Sequence, residues 1–287
     1  MAVKSSVRVF FTLAFPVMKN FLRLFSCWFV WSVSGVQAAE WEVIWADEFN
    51  YQGLPDPTKW DYEDGFVRNH EAQFYTRARP ENARVENGML ILEARREHFP
   101  IPPGSPGAHD RTFAEYTSAS LLTKGKQSWT YGRLEMRAKL PQGKGVWPAF
   151  WTLGDDIGAV GWPACGEIDI MEFVGHDPNQ IYATSHYVVG GKPASDGAHT
   201  AVELTRGDFH VYAVEWDRDK IDFSVDGHVY HTTRVDAAGP GMDNPMRRPQ
   251  YLLINFALGG EWGGPIDDHI LPQRYLVDYV RVYQKKQ

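Results

Sequence analysis

The segment Glu167-Ile168-Asp169-Ile170-Met171-Glu172 sets three carboxylates among apolar residues. Acids in that company are candidates for proton transfer or nucleophilic attack. Read as a strand, the segment alternates faces with period two, so Glu167 and Asp169 share one face and Ile168 and Ile170 the other. Glu172 has the wrong parity for the acidic face. One inserted residue corrects it, and a β-bulge at Ile170 and Met171 would bring Glu172 round to the other two acids and leave Phe173 in line with the isoleucines. Like charges a few ångströms apart resist joint ionisation and push at least one pKa upward. Glycoside hydrolysis uses that asymmetry: one carboxylate attacks while another, still protonated, serves as general acid, roughly 5 to 5.5 Å apart when configuration is retained. The ends of the triplet lie roughly 13 Å apart along the backbone, a gap that two glutamate arms leaning inward would largely close. Single acids on strands mostly line a wet face. Here the flanks Trp162-Pro163-Ala164-Cys165-Gly166 and Phe173-Val174-Gly175 are apolar and glycine-bounded, unlike a solvated edge.

At these residues, within Gly161-Trp162-Pro163-Ala164-Cys165-Gly166-Glu167-Ile168-Asp169-Ile170-Met171-Glu172, the chain resembles glycoside hydrolase family 16, and in it the laminarinase-type endo-1,3-β-glucanases. The resemblance spans residues 41–284. It implies Glu167 as nucleophile, Glu172 as general acid/base and Asp169 as the residue that positions and tunes Glu167. It also implies a polysaccharide substrate, β-1,3-glucan, and a jelly-roll (concanavalin A-like) sandwich with a concave cleft. Asp47-Glu48-Phe49 matches the family's opening motif, Asn69 a sugar contact and Arg79 a further polar contact, although a solvated loop arginine explains Arg79 equally well. Trp147 and Trp151 stand four apart on one strand face. They form either a core pair or the sugar-stacking platform for which the family uses its matching tryptophans. Trp162 and His186 join the substrate-binding set beside the acids, as does Trp262 in Gly259-Gly260-Glu261-Trp262-Gly263-Gly264. There the family more often has Asn at Glu261 and Pro at Gly263. No cofactor is required for the chemistry; the resemblance implies a structural calcium ion at Glu48, Gly88 and Asp278, which oxygen ligands from separate strands suit. The Met inside the triplet argues against the lichenase type, whose strand lacks the bulge. Mixed-linkage glucan and agar remain as alternative substrates. So does a non-hydrolytic lectin, though binding alone does not need two glutamates flanking an aspartate.

The chain has 287 residues, 14% of them aromatic, with 11 tryptophans, a content that suits stacking on the apolar faces of sugars. Residues 18–39 read as a secretory leader, with Lys19 and Arg23 at the front, an apolar run over 24–36 and a small-residue cleavage site ending at Ala38. Met18 begins a more orthodox leader than Met1 does. Residues 1–38 carry Lys4, Arg8, Lys19 and Arg23 and no acid, so the remainder has 36 acidic residues and a net charge of −11. That excludes nucleic acid and an anionic membrane surface as natural partners. A secreted monomer of one catalytic domain, residues 39–287, is the expectation. Of the two cysteines, Cys27 lies in the leader and Cys165 reads as a small buried thiol, so the mature chain has no internal disulfide.

Placing the acids falls to many short strands. Residues 83–86 and 89–94 flank Asn87-Gly88, and 220–225 precede Asp226-Gly227; both dipeptides are hairpin turns. Residues 131–140 alternate cleanly, with Leu134, Met136, Ala138 and Leu140 on one side. Residues 251–258 are nearly all apolar and belong in a strand buried on both faces. Residues 41–49, 116–122, 145–151, 181–189, 209–216 and 276–283 complete the strands, and residues 98–112, rich in Pro and Gly, form a long loop that could wall one end of a cleft. Helical periodicity is nearly absent. The pattern predicts an all-β, two-sheet antiparallel β-sandwich.

Overall fold

The computed structural model describes residues 41–202 and 208–286. The segment read as a secretory leader, with Met18 and Cys27, lies outside the described residues. Residues 39–287 make one compact unit, in which seventeen strands are described. Ten of them form one sheet, running from His228–Arg234 through Lys220–Val225, His210–Trp216, Gly132–Lys139, Gln273–Lys285, Met89–Pro100 and Phe113–Ser118 to Phe74–Tyr75; Trp41–Asp47 and Ala83–Glu86 pair alongside. The other seven run in the order Lys192–Ala201, Gln180–Val189, Glu167–Glu172, Val146–Gly154, Gln250–Leu258, Ser120–Leu122, Asp61–Tyr62. Pairing is antiparallel throughout except where Phe74–Tyr75 runs parallel to Phe113–Ser118. The two sheets make the expected jelly-roll sandwich.

The alternation read from the sequence is what closes the sandwich. Leu134, Met136 and Ala138 of one sheet and Val146, Phe150, Leu252, Ile254 and Phe256 of the other are all at most 1% exposed and belong to one core cluster. Both hairpins turn where expected, with Asn87 and Gly88 at φ 55° and 76°, and Asp226 and Gly227 at 50° and 79°, the left-handed pair a type I′ turn requires. Trp60, Trp129 and Trp216 are core residues, so part of the tryptophan content serves packing rather than sugar binding. Gln250–Leu258 is buried at every position, as the nearly all-apolar run over 251–258 predicts. Two departures from the sequence reading change the layout. The strand before the Pro/Gly-rich loop continues to Pro100 by pairing with Phe113–Ser118, which confines the loop to residues 101–112. Lys192–Ala201 is an edge strand in full register with Gln180–Val189; its polar composition, with a proline and a glycine, hides a strand that only its partner holds extended.

The acidic strand lies inside the seven-stranded sheet, and its bulge is present. Against one neighbour Asp169 pairs with Trp151 and Met171 with Phe150. Against the other Asp169 pairs with Thr184 and Glu172 with Tyr182. Three steps on the acidic strand thus span two on its partner. Ile168, Ile170, Met171 and Phe173 all enter the core. Each buried side chain of that size contributes roughly 1.5–3 kcal/mol, and a one-residue slip would expel the isoleucines and draw the acids inward. The core therefore fixes the register that aims the carboxylates.

Candidate active site

On the face turned away from the core, the seven-stranded sheet floors a cleft of about 490 Å³ lined by Glu167, Asp169 and Glu172 together. The bulge has carried Glu172 onto the acidic face. Trp147, Ala149, Trp151 and Leu153 of the adjacent strand line the same cleft, while Val146 and Phe150 of that strand point into the core.

Each acid has its own setting. Glu167 Oε2 accepts a hydrogen bond from Trp162 Nε1 at 2.6 Å. Asp169, only 3% exposed, sits between Glu167 and His186, whose Nε2 lies 3.1 Å from Asp169 Oδ2. Glu172 Oε1 accepts from Trp147 Nε1 at 3.0 Å. Burial raises the pKa of all three. The charge of Asp169 adds to the rise at Glu167, against which His186 and the Trp162 N–H favour the ionised form. Glu172 is pushed up to about 7 by burial, with the Trp147 N–H opposing and the charges of Glu167 and Glu71 adding. Glu172 is poised to hold a proton near neutrality, and the Trp162 N–H at Glu167 favours the anion there, two settings that acid-assisted nucleophilic displacement uses.

Most of the residues singled out by sequence gather here. Asn69, Trp147, Trp151 and Trp162 line the cleft, and His186 pairs across from Glu167 in the adjacent strand. Trp262 packs edge-on against Trp147 and Tyr182, with ring centroids 5.5 and 4.9 Å away. Trp147 and Trp151 both line the cleft but show it little bare ring, each being under 10% exposed. Trp147 is pinned to Glu172, and Trp151 donates to Asn255 Oδ1 at 2.7 Å beneath the Arg68 guanidinium. The exposed indole is that of Trp162, at 57%.

Arg79 is not in the cleft. Its guanidinium is spent on Glu97, at 2.6 and 3.0 Å, and on Asn82 Oδ1 at 2.8 Å, bracing the base of the hairpin. The side chains proposed for calcium are likewise committed: both oxygens of Glu48 accept from Arg281, at 2.6 and 2.8 Å, and Asp278 Oδ2 accepts from Arg137 at 2.6 Å. Gly88 occupies the tip of its hairpin. Carboxylates already neutralised by guanidinium groups do not fit a divalent-cation site built from these side chains. Cys165 is fully buried with its thiol pKa raised by burial, and it has no part in the acid cluster.

The sequence reading missed a fourth acid and its support. Glu71 is 6% exposed; its Oε1 accepts from Asn69 Nδ2 at 3.3 Å and its Oε2 from Gln73 Nε2 at 2.7 Å and Tyr75 OH at 3.2 Å. Tyr75 OH in turn accepts from Asn255 Nδ2 at 2.9 Å, joining this network to Trp151. Asn69, Glu71 and Gln73 converge through a turn in which Asn69 and His70 have φ of 53° and 51°. Burial raises the Glu71 carboxyl, and Arg68 opposes the rise. Since the negative charge of Glu71 helps Glu172 keep its proton, Glu71→Gln should move the alkaline limb of the activity–pH profile to lower pH and leave the acid limb in place. An alkaline limb that does not move would remove Glu71 from this role.

A family model described as Glycosyl hydrolases family 16 matches residues 70–281. A β-glucanase of Rhodothermus marinus is 44% identical over 276 residues, which cover 91% of this chain and 91% of that protein. Glucan endo-1,3-β-glucosidase A1 of Niallia circulans is 36% identical over 269 residues; these are 85% of this chain but 38% of that longer protein. Among solved structures, SCLam, a non-specific endo-β-1,3(4)-glucanase from family GH16, superposes with a TM-score of 0.76 at 41% identity, covering 87% of this chain and 93% of that one.

Proposed function

Since this chain belongs to glycosyl hydrolase family 16 and is a glycoside hydrolase, we propose that it cleaves internal β-1,3 linkages of a β-glucan with retention of configuration. Glu167 attacks the anomeric carbon as Glu172 gives its proton to the departing glycosidic oxygen, leaving a glycosyl ester on Glu167. Glu172, now ionised, takes a proton from water, and the resulting nucleophile releases the sugar and regenerates both groups. Asp169 orients Glu167, and His186 Nε2, 3.1 Å from Asp169 Oδ2, fixes the Asp169 carboxyl in turn. The Trp147 N–H holds the Glu172 carboxyl toward the bond to be cut.

The observation that carries this reading is the bulge that puts Glu172 on the cleft face with Glu167 and Asp169. A binding protein would need no such kink. The glucan specificity is supported by the relatives, a β-glucanase and an endo-1,3-β-glucosidase, and by a cleft that offers acids rather than a basic track for a sulfated polymer. Incubation with linear β-1,3-glucan, mixed-linkage glucan and agarose tests it. Oligosaccharide ladders should appear from the β-1,3-glucan and none from agarose. Binding of the glucan without new reducing ends would instead identify a lectin.

A further inference from the structure

No residue of the loop at 101–112 lines the catalytic cleft; the loop packs instead on the segment beside it. Phe66 N–H donates to Pro106 O at 3.0 Å, and Arg111 lays its guanidinium 3.6 Å from the Phe66 ring centroid while donating to Gly107 O at 2.9 Å. The backbones approach so closely that a Cβ at Gly65 would stand 2.3 Å from Pro106 O, and one at Gly107 2.2 Å from Phe66 O. Only glycine permits that contact at these left-handed positions. The loop is thus fastened to the segment that carries Asn69 and Glu71. Between the two lies a second cavity of about 350 Å³, walled by His109 and Arg111 on one side and by Arg68, Asn69, His70 and Glu71 on the other. Arg68, Asn69 and Glu71 also line the catalytic cleft, so the two spaces share a wall beside the acids.

Resting on the glucanase reading, we propose that this side pocket receives a neutral glycosyl branch carried by the glucan backbone, one sugar attached to a ring bound next to the scissile bond. Its place favours a branch over a further backbone ring, because its shared wall includes Glu71, whose charge acts on Glu172. The backbone path is already supplied by the cleft from the acidic strand to Glu63 and Lys124. Its chemistry favours the same occupant. The Phe66 face is covered by Arg111, so the pocket presents no flat aromatic platform of the Trp162 kind. It offers hydrogen-bonding groups from Asn69 and the two histidines, suited to a sugar with hydroxyls on every side. An anionic substituent fits less well: His70 Nδ1 is 2.9 Å from Glu261 Oε1, Arg111 is engaged by carbonyl oxygens, and Glu71 supplies negative charge.

The test compares a linear β-1,3-glucan with the same backbone bearing single β-1,6-linked glucosyl branches, using the wild type, His109→Trp and, as a smaller blocker, His109→Phe. An indole in place of His109 occupies the pocket from the loop side, away from Glu167, Asp169 and Glu172, none of which lines it. The proposal predicts that kcat/KM for the branched glucan falls about tenfold in His109→Trp and less in His109→Phe, while the linear glucan changes by less than about twofold and reports an intact fold. Equal losses on both substrates would make the cavity a backbone subsite, and no loss on either would leave it unused; each result overturns the proposal. Wild-type protein that cleaves neither glucan would instead overturn the glucanase reading beneath it.

Discussion

Glu167→Ala should lower glucan hydrolysis by at least about three orders of magnitude and leave binding of β-1,3-gluco-oligosaccharides within about twofold. The side chain makes the covalent intermediate, and no other acid can replace it. Asp169 is almost wholly buried, and Glu172 is held by Trp147 for proton transfer. Binding should survive because the cleft walls and the exposed Trp162 ring remain. The vacated space also admits a small external nucleophile. Azide supplied with an activated β-glucoside should restore turnover and yield the α-glucosyl azide, the product of a single displacement. A variant that kept more than about a tenth of wild-type turnover without azide would assign the nucleophile elsewhere.

Glu172→Gln should cost about 10²- to 10⁴-fold on glucan, the usual reach of general acid–base catalysis. It should cost much less in the glycosylation step of a substrate whose leaving group departs unprotonated. In the wild type the general acid must carry its proton, so activity should fall as pH rises through about 7, the value to which burial pushes Glu172; the variant should lack that limb. The same raised pKa bears on stability. The folded state holds the Glu172 proton more tightly than the unfolded chain does, so its contribution is fully present below about 4.5 and is lost as pH climbs through about 7. Glutamine, always neutral, escapes that loss. Because Glu172 keeps part of its surface open to the cleft, the gain should be on the order of 1 kcal/mol, or about 2–4 °C in Tm at pH 8, with little difference at pH 4. Melting curves at the two pH values check it, and a variant less stable than the wild type at pH 8 would contradict the burial argument.

What the sequence disclosed follows from how local its causes are. Strand parity is a two-residue rule, so the misfit of Glu172 against Glu167 and Asp169 announced the bulge. Asn87-Gly88 and Asp226-Gly227 announced their turns because only a few residues accept left-handed backbone. What it withheld depends on partners distant along the chain. Whether an indole such as that of Trp151 is bare or covered depends on Arg68, 83 positions earlier and on another element. Arg79 looks like any polar loop residue until Glu97 is seen to hold it. Glu71 stood in plain view between Asn69 and Gln73, but its weight comes from its burial and from the reach of its charge to Glu172, which no spacing rule encodes. Lys192–Ala201 carries no apolar stripe because, as the sheet's edge, it meets solvent along much of its length.

The geometry of the cleft is best interrogated through the stereochemistry of the first product. Proton NMR recorded within the first minutes of hydrolysis of a linear β-1,3-glucan should show new reducing ends appearing as the β-anomer, with the α-anomer growing later by mutarotation. That order requires two displacements at one carbon, with Glu167 on one face and Glu172 serving the leaving oxygen. Reducing ends that first appear as the α-anomer would mean a single displacement by water, with Glu167 forming no glycosyl ester and Glu172 assisting no second displacement.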